Sequence, residues 1–213
     1  MITIIDYDAG NMLSVKKAFE HLGEDVRISR DKSEIMTSER LVLPGVGAFY
    51  DCMEKLRHYE LVDVVKEYCK TGKPFLGICL GMQLLFDHSE ETIGTDLERV
   101  DGLSILPGSI KLLPKTEGLK IPHMGWNSIY KPNRSRILDG IDEGSFVYFV
   151  HSYYVHAEDP AIVAAKTDYC VPIDAAVERG NVIGCQFHPE KSGDVGLAIL
   201  KNFCRLKGGE NAY

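Results

Sequence analysis

The stretch Pro74-Phe75-Leu76-Gly77-Ile78-Cys79-Leu80-Gly81-Met82-Gln83-Leu84-Leu85-Phe86 decides how this chain folds. It opens as a short apolar run with strand character and closes with apolar spacing that suits a helix. Gly77 and Gly81 flank Cys79 symmetrically between the two. A strand that turns straight into a helix through one residue strains that residue's backbone. Its neighbours two positions away must be small, or their Cβ atoms would collide. The apex side chain is pushed clear of both elements, and the next amide, that of Leu80, points towards incoming negative charge. The same partial positive end lowers a thiol's pKa, so Cys79 is expected to be partly thiolate near neutral pH. Taken alone, G-x-C-x-G also fits a buried cysteine in an ordinary strand–helix unit.

A second stretch, Val182-Ile183-Gly184-Cys185-Gln186-Phe187-His188-Pro189-Glu190, supplies what a nucleophile needs. Residues two apart in an extended segment point to one side, so His188 and Glu190 are expected on one face with Pro189 stiffening the backbone. A carboxylate there fixes the imidazole tautomer, and the imidazole exchanges a proton with thiol and leaving group. By itself His-Pro-Glu also fits a surface pair. With the elbow it completes a Cys79, His188, Glu190 order.

These residues carry a resemblance. GICLGMQ followed far downstream by QFHPE is similar to the class I (triad) glutamine amidotransferase family. Within it, IDYDAGN at 5–11, LPGVGAF at 43–49, PHMGWN at 122–127 and YFVHSYY at 148–154 resemble the glutaminase subunits of imidazole glycerol phosphate synthase. The matching motifs run from residue 5 to 191. One departure is visible: Asp8 stands where the family has glycine after Asp-Tyr. Asp tolerates left-handed backbone better than most residues, so the turn can survive.

The resemblance implies hydrolysis of L-glutamine to glutamate and ammonia through a γ-glutamyl thioester, without a cofactor. On its residues alone Pro44-Gly45-Val46-Gly47 reads as a plain loop after a strand. The resemblance makes it an oxyanion strand, with an amide of Val46 or Gly47 beside that of Leu80. It also assigns Gln83 and the Ser152–Tyr153 backbone to the glutamine α-carboxylate and ammonium. Free ammonia at neutral pH is mostly ammonium, which is no nucleophile, and nothing in the chain resembles a phosphate-binding acceptor site. A partner is therefore expected: the family's (β/α)8-barrel cyclase, which uses the ammonia on a ribulosylformimino-aminoimidazole carboxamide ribonucleotide. Its products are imidazole glycerol phosphate and an aminoimidazole carboxamide ribotide (AICAR). Asn11, Trp126 and Lys191 occupy family positions at that interface, and Trp126, the single tryptophan, reads alternatively as a core aromatic. Glutaminase activity is expected to stay low until the partner binds its own ligand.

The rest of the chain agrees on a class. Strands at residues 3–5, 25–29 and 40–43 alternate with helices from about 11 to 22, 49 to 56 and 61 to 69, which implies right-handed crossovers and a parallel sheet. Active residues then belong at the carboxyl ends of strands, where Cys79 falls. After residue 89 short strand-like runs at 103–113, 145–156, 162–166 and 175–178 are expected to add antiparallel strands to the sheet edge. A final helix at 195–206 precedes a polar tail expected to fray. The expected fold is α/β: one domain over 1–213, with a mixed, mostly parallel sheet flanked by helices and the elbow at its centre.

Composition excludes several classes. The net charge is −7, with 31 acidic against 24 basic residues, which disfavours a nucleic-acid binder. The basic run at 131–136 reads as a solvated loop. Six cysteines form no C-x-x-C pair and there is no H-E-x-x-H, so neither a disulfide framework nor a metal site is expected. His21, His58 and His88 read as solvent-facing on helical stretches and His156 as exposed, whereas His123 and His151 lie inside motifs, where structural or substrate-side roles are expected. Residues 1–6 read as a first strand rather than a signal peptide, and no run reaches a membrane span, so a cytoplasmic protein is expected. Two other readings compete: a stand-alone γ-glutamyl thiol hydrolase or a glutaminase of another pathway, and a binding module whose triad is dead. PHMGWN disfavours the first, and the intact Cys79, His188 and Glu190 disfavour the second.

Overall fold

A computed structural model describes residues 1–209. The first half contains β1 (Ile2–Ile5), α1 (Met12–His21), β2 (Val26–Ser29), α2 (Lys32–Thr37), β3 (Arg40–Gly45), α3 (Phe49–His58), α4 (Val62–Lys70), β4 (Phe75–Cys79) and α5 (Leu80–Gln83). The second contains β5 (His88–Ser89), β6 (Val100–Asp101), β7 (Gly108–Leu112), β8 (His123–Ser128), β9 (Phe146–His151) and β10 (Tyr153–Ala157). It ends with β11 (Val163–Asp168), β12 (Pro172–Arg179), β13 (Val182–Cys185) and α6 (Gly193–Arg205).

A seven-stranded sheet in the order β11-β12-β13-β4-β3-β1-β2 forms the frame. Its strands from β13 to β2 are parallel, and β12 and β11 add an antiparallel edge. Strands covered on both faces read as continuous apolar runs, and β1 and β4 are buried along their whole length. Alternate residues feed two cores. Ile5, Leu41, Leu43 and Phe75 pack with Phe49 and Leu56 of α3 and Val65 of α4. Ile4, Val42 and Leu76 pack with Phe19 of α1 and Ile199 and Phe203 of α6. The Phe19 and Phe203 rings, 6.2 Å apart, join those two helices. Each such fully buried ring stabilises the fold by about 2–3 kcal/mol.

Helix α1 follows its stripe: Val15, Ala18 and Phe19 are buried, and Gly23 takes the left-handed backbone (φ +84°) that stops it. Four expectations need correction. Only the 162–166 and 175–178 runs join the main sheet; 103–113 and 145–156 build a four-stranded sheet, β10-β7-β5-β6, and a two-stranded ribbon, β8-β9. Period-two alternation fixes which side of a strand is apolar but not which strand lies beside it. His88 sits on β5 rather than a helix, paired with Asp101 and Ser109. The 131–136 run is partly tied down, with Arg136 on the Glu178 carboxylate and Lys131 Nζ donating to Ile141 O. The tail is turned back at 207–209, where Gly209 N donates to Gly72 O (3.2 Å); residues 210–213 lie outside the described residues.

Candidate active site

The elbow forms as its glycines dictate. Cys79 holds φ +55° and ψ −113°, a conformation L-residues avoid, at the junction of β4 and α5. A Cβ on Gly77 would stand 2.6 Å from Gly81 O, and one on Gly81 would stand 1.9 Å from Leu43 O. No side chain fits either gap. Helix α5 is a single turn, shorter than the apolar spacing suggests. The carbonyls of Leu84 and Leu85, which a longer helix would use, accept instead from Leu103 and from Ile105 and Leu106. The dipole behind the sulfur is therefore that of one turn, and the charge facing it comes from His188.

His188 reaches the site from the end of β13. Its backbone is pinned on both sides: His188 N donates to Tyr148 O of β9 (2.9 Å), and its carbonyl accepts from Ser192 Oγ (2.6 Å). Nδ1 lies 2.8 Å from Glu190 Oε1, with both side chains almost wholly buried. The pair forms by a different route from the expected one. The chain is extended at His188 but enters a 3-10 turn at Pro189–Lys191, and this turn brings the carboxylate back under the ring. Burial opposes charge on His188, but the Cys79 sulfur and then Glu190 favour it, and the balance pushes its pKa up to about 9. Nε2, the nitrogen turned towards Cys79, has no hydrogen-bond partner among the described residues, so the sulfur acts on it across the pocket. Cys79 Sγ is 3.9 Å from Val150 O and 3.7 Å from Gln186 Nε2.

Cys79, Leu80, His188, Val46, Gly47, Gln83, Ser152 and Tyr153 all line one pocket of about 370 Å³. Gly47 holds φ +100°, and the strand leading to it runs in register with the elbow, Gly45 beside Cys79. Gln83 is buried, with its amide nitrogen donating to Tyr153 O and to Gln186 Oε1, both at 2.8 Å.

The structure adds two features to the pocket, an acidic residue on its wall and the pairing of the two motif histidines. Glu91 reaches its wall from the loop after β5, accepting from Phe49 N (2.9 Å), and burial pushes its carboxyl pKa up. The sequence signal for it is the Glu90-Glu91 doublet, seven and eight residues beyond Gln83. The second is a buried histidine pair. His123 and His151 face each other across β8 and β9, with His123 Nδ1 3.0 Å from His151 Nε2. His151 Nδ1 donates to Tyr153 O (2.9 Å), leaving Nε2 as acceptor for the His123 Nδ1 proton; His123 Nε2 then accepts from Asn127 (3.3 Å). Burial keeps both neutral, lowering the pKa of His123 to about 4 and that of His151, which also feels His123, to about 3.

The three remaining motif residues lie on the surface. Trp126 is 55% exposed on β8, edge-on to Tyr148 at 6.1 Å, which removes the core reading. Lys191 Nζ stands 5.9 Å over the same Tyr148 ring. Asn11 precedes α1, a helix that packs against the Pro189–Lys191 turn. Asp8 adopts φ +59° and is held by Arg30 (2.7 Å) and Tyr59, so the turn does survive the change from glycine. Among the described residues, no group of three or more His, Cys, Asp and Glu is placed to hold a metal, and no helix is long and apolar enough to cross a membrane.

Comparison with known proteins speaks to the family and the fold. Residues 3–206 match the family model for glutamine amidotransferase class-I. The chain is 50% identical over 203 residues to the imidazole glycerol phosphate synthase subunit HisH of Bacillus cereus strain G9842, covering 95% of this chain and 93% of that one. It is 50% identical over 208 residues to the subunit of the same name from Syntrophotalea carbinolica, covering 95% and 98%. Among solved structures, a glutamine amidotransferase aligns with a TM-score of 0.71 at 19% identity, over 96% of this chain and 100% of that chain. PurLQS from Thermotoga maritima aligns at 0.72 and 19%, over 95% and 96%. These last two speak to the fold. The chain belongs to the class I glutamine amidotransferase family.

Proposed function

We propose that this chain, as one domain, is the glutaminase subunit of an imidazole glycerol phosphate synthase. In this reading it hydrolyses L-glutamine and passes the ammonia to a (β/α)8-barrel cyclase in the cytoplasm. The observation that carries the chemistry is the buried His188–Glu190 pair, 2.8 Å apart, sharing a pocket with a cysteine in a strained apex conformation. The identity to the two HisH subunits supports the pathway.

Cys79 gives its proton to His188 Nε2, and the thiolate attacks the side-chain amide carbon of glutamine. The Leu80 amide and one from Val46–Gly47 hold the tetrahedral oxyanion, each such donor contributing about 3 kcal/mol. His188 returns the proton to the departing nitrogen, releasing ammonia and leaving the thioester. It then draws a proton from water, hydroxide adds to the thioester, and glutamate leaves as the thiolate is restored. Glu190 holds the imidazole tautomer throughout and stabilises the imidazolium. The α-ammonium of glutamine needs an anion, and Glu91 is the carboxylate on the pocket wall that is not engaged by the triad. The Ser152–Tyr153 backbone and Gln83 complete the substrate site.

Trp126, Lys191 and Asn11 form the docking face for the cyclase, with exposed Met124 beside Trp126 on β8. The test is glutamate release by the chain alone and then with a cyclase subunit and its nucleotide ligand. A large rise on adding both, abolished in Cys79→Ala, is expected. Equal rates with and without the partner would sink the pathway assignment in favour of a stand-alone hydrolase. Trp126→Ala should weaken the complex by about thirtyfold, the size of an interface hot spot.

A further inference from the structure

Gln186 is fully buried two residues before His188. A buried primary amide must place both a carbonyl oxygen and an NH2 group, and its surroundings decide which way round it lies. Gln83 decides it here. Both Gln83 N–H groups are spent, one on Tyr153 O and one on Gln186 Oε1, each at 2.8 Å. With its oxygen held by Gln83, Gln186 must turn its nitrogen to the other side, and there Nε2 lies 3.7 Å from Cys79 Sγ. The orientation is anchored further out, because Tyr153 O also accepts from His151, whose tautomer is fixed by His123.

The sulfur therefore has two polar neighbours of opposite preference. Val150 O, at 3.9 Å, accepts the proton of a neutral thiol and repels a thiolate. Gln186 Nε2 donates, and a donor interacts far more strongly with a thiolate than with a thiol. The geometry points to Gln186 as a further catalytic residue of the site: its side-chain N–H holds the Cys79 sulfur and stabilises it as the thiolate while the thiol proton moves to His188 Nε2. The same N–H stabilises the sulfur as leaving group when the thioester is hydrolysed. This inference rests on Cys79 being the nucleophile of the proposed glutaminase.

The test reads Cys79 without glutamine. Iodoacetamide labelling of Cys79 in the full chain, followed by mass spectrometry across pH, gives the midpoint for thiolate formation. The titratable groups facing the sulfur are His188 with Glu190 behind it, His151 and Glu91 on the pocket wall, and Tyr7 and Cys185 from the sheet. All are unchanged in the variants. Gln186→Met removes the donor and should move the midpoint up, slowing labelling at neutral pH by about tenfold or more. Gln186→Glu keeps an acceptor for Gln83 but sets a carboxylate against the sulfur, and should slow it further. An amide with only a structural role would lower Tm and leave the midpoint in place. An unmoved midpoint in folded Gln186→Met overturns the inference; should that variant not fold, Gln186→Asn retracts the amide and gives the same reading. No glutamate release even with the cyclase subunit and its nucleotide ligand present, while the labelling midpoint still moves, would sink the glutaminase reading and leave Gln186 only as a donor to the Cys79 sulfur.

Discussion

Two buried histidine systems meet at one pocket, and their pKa values are pushed in opposite directions. His188 is 2% exposed and its pKa rises to about 9; His151 and His123 are 7% and 3% exposed and theirs fall to about 3 and 4. Burial alone lowers the pKa of any histidine, so burial does not separate them. The partners do. His188 faces a thiol that ionises and a carboxylate, whereas His151 and His123 face each other, a carbonyl and an amide. An anion beside a buried ring makes a proton carrier. Neutral partners make a fixed strut, here one that holds the Tyr153 carbonyl on the substrate side.

The largest expected effect comes from removing that anion. Glu190→Gln keeps a group of the same shape beside Nδ1 but no longer enforces the tautomer or stabilises the imidazolium. We expect kcat for glutamine hydrolysis to fall by about 10³–10⁴-fold in a protein that still folds. A loss under tenfold would mean that Glu190 is packing rather than partner. The same variant tests the alkaline side of stability. The folded-state pKa of His188 is raised, so its contribution is complete below about pH 6.5 and is lost as pH rises through about 9. That decline should shrink in Glu190→Gln, read from denaturant midpoints at pH 7 and 9.

Breaking the strut should do the reverse. His123→Phe keeps a ring between Phe149 and Tyr169, which stack on His123 at 4.7 and 4.1 Å, but removes the donor to His151 Nε2. A buried acceptor left unpaired costs about 1–3 kcal/mol. The denaturant midpoint should fall by that amount at constant m-value, while kcat changes less than tenfold. If kcat falls as far as in Glu190→Gln, the two systems are one machine and the contrast between them is false.

A smaller effect follows from the pKa values of the pair. Both are depressed in the folded state, so between about pH 6.5 and 4 the unfolded chain binds protons that the folded chain refuses. Stability is then full above about 6.5 and falls as pH drops, by up to about 1.4 kcal/mol per pH unit for each histidine. In His123→Phe one contributor is gone and the acid limb should be shallower by about that amount. Equal slopes in the two proteins would show that His123 is protonated in the fold.

Much of this was legible from sequence, and the reasons differ by residue. Gly77, Cys79 and Gly81 announce the elbow because the steric demand is local and only glycine meets it. The order of Cys79, His188 and Glu190 was readable too, although the backbone joining the last two is a turn rather than a strand. Helix α2 was passed over because it spans six residues. Its start signal was nonetheless in the chain: Asp31 caps it by accepting from Glu34 N at 2.8 Å. The extent of α5 was out of reach, because it is set by Leu103, Ile105 and Leu106 taking carbonyls some twenty residues back in sequence. The histidine pair was hidden for a similar reason. His123 and His151 meet only through the β8–β9 register, which no local pattern gives.

The smallest expected effect comes from a charged cluster that lies outside the core. Asp8, the residue that stands for the family's glycine, accepts from Tyr59 and from Arg30, and these contacts hold its pKa below the usual carboxylate range. In partner chemistry it resembles Glu190, a carboxylate set against a basic side chain. It differs in environment: the Asp8 and Arg30 side chains are 52% and 38% exposed, against 1% and 3% for Glu190 and His188. Water and salt screen such a pair, and most of what it gains in contact it loses in side-chain freedom. Asp8→Asn removes the charge and keeps both the shape and the tolerance for positive φ. Its denaturant midpoint should sit within error of the parent, with any residual difference gone in about 1 M salt. A drop as large as that of His123→Phe would show that a charged partner matters at the surface as much as inside. The rule drawn from the pocket, that burial sets the stakes and the partner sets the sign, would then hold only for the sign.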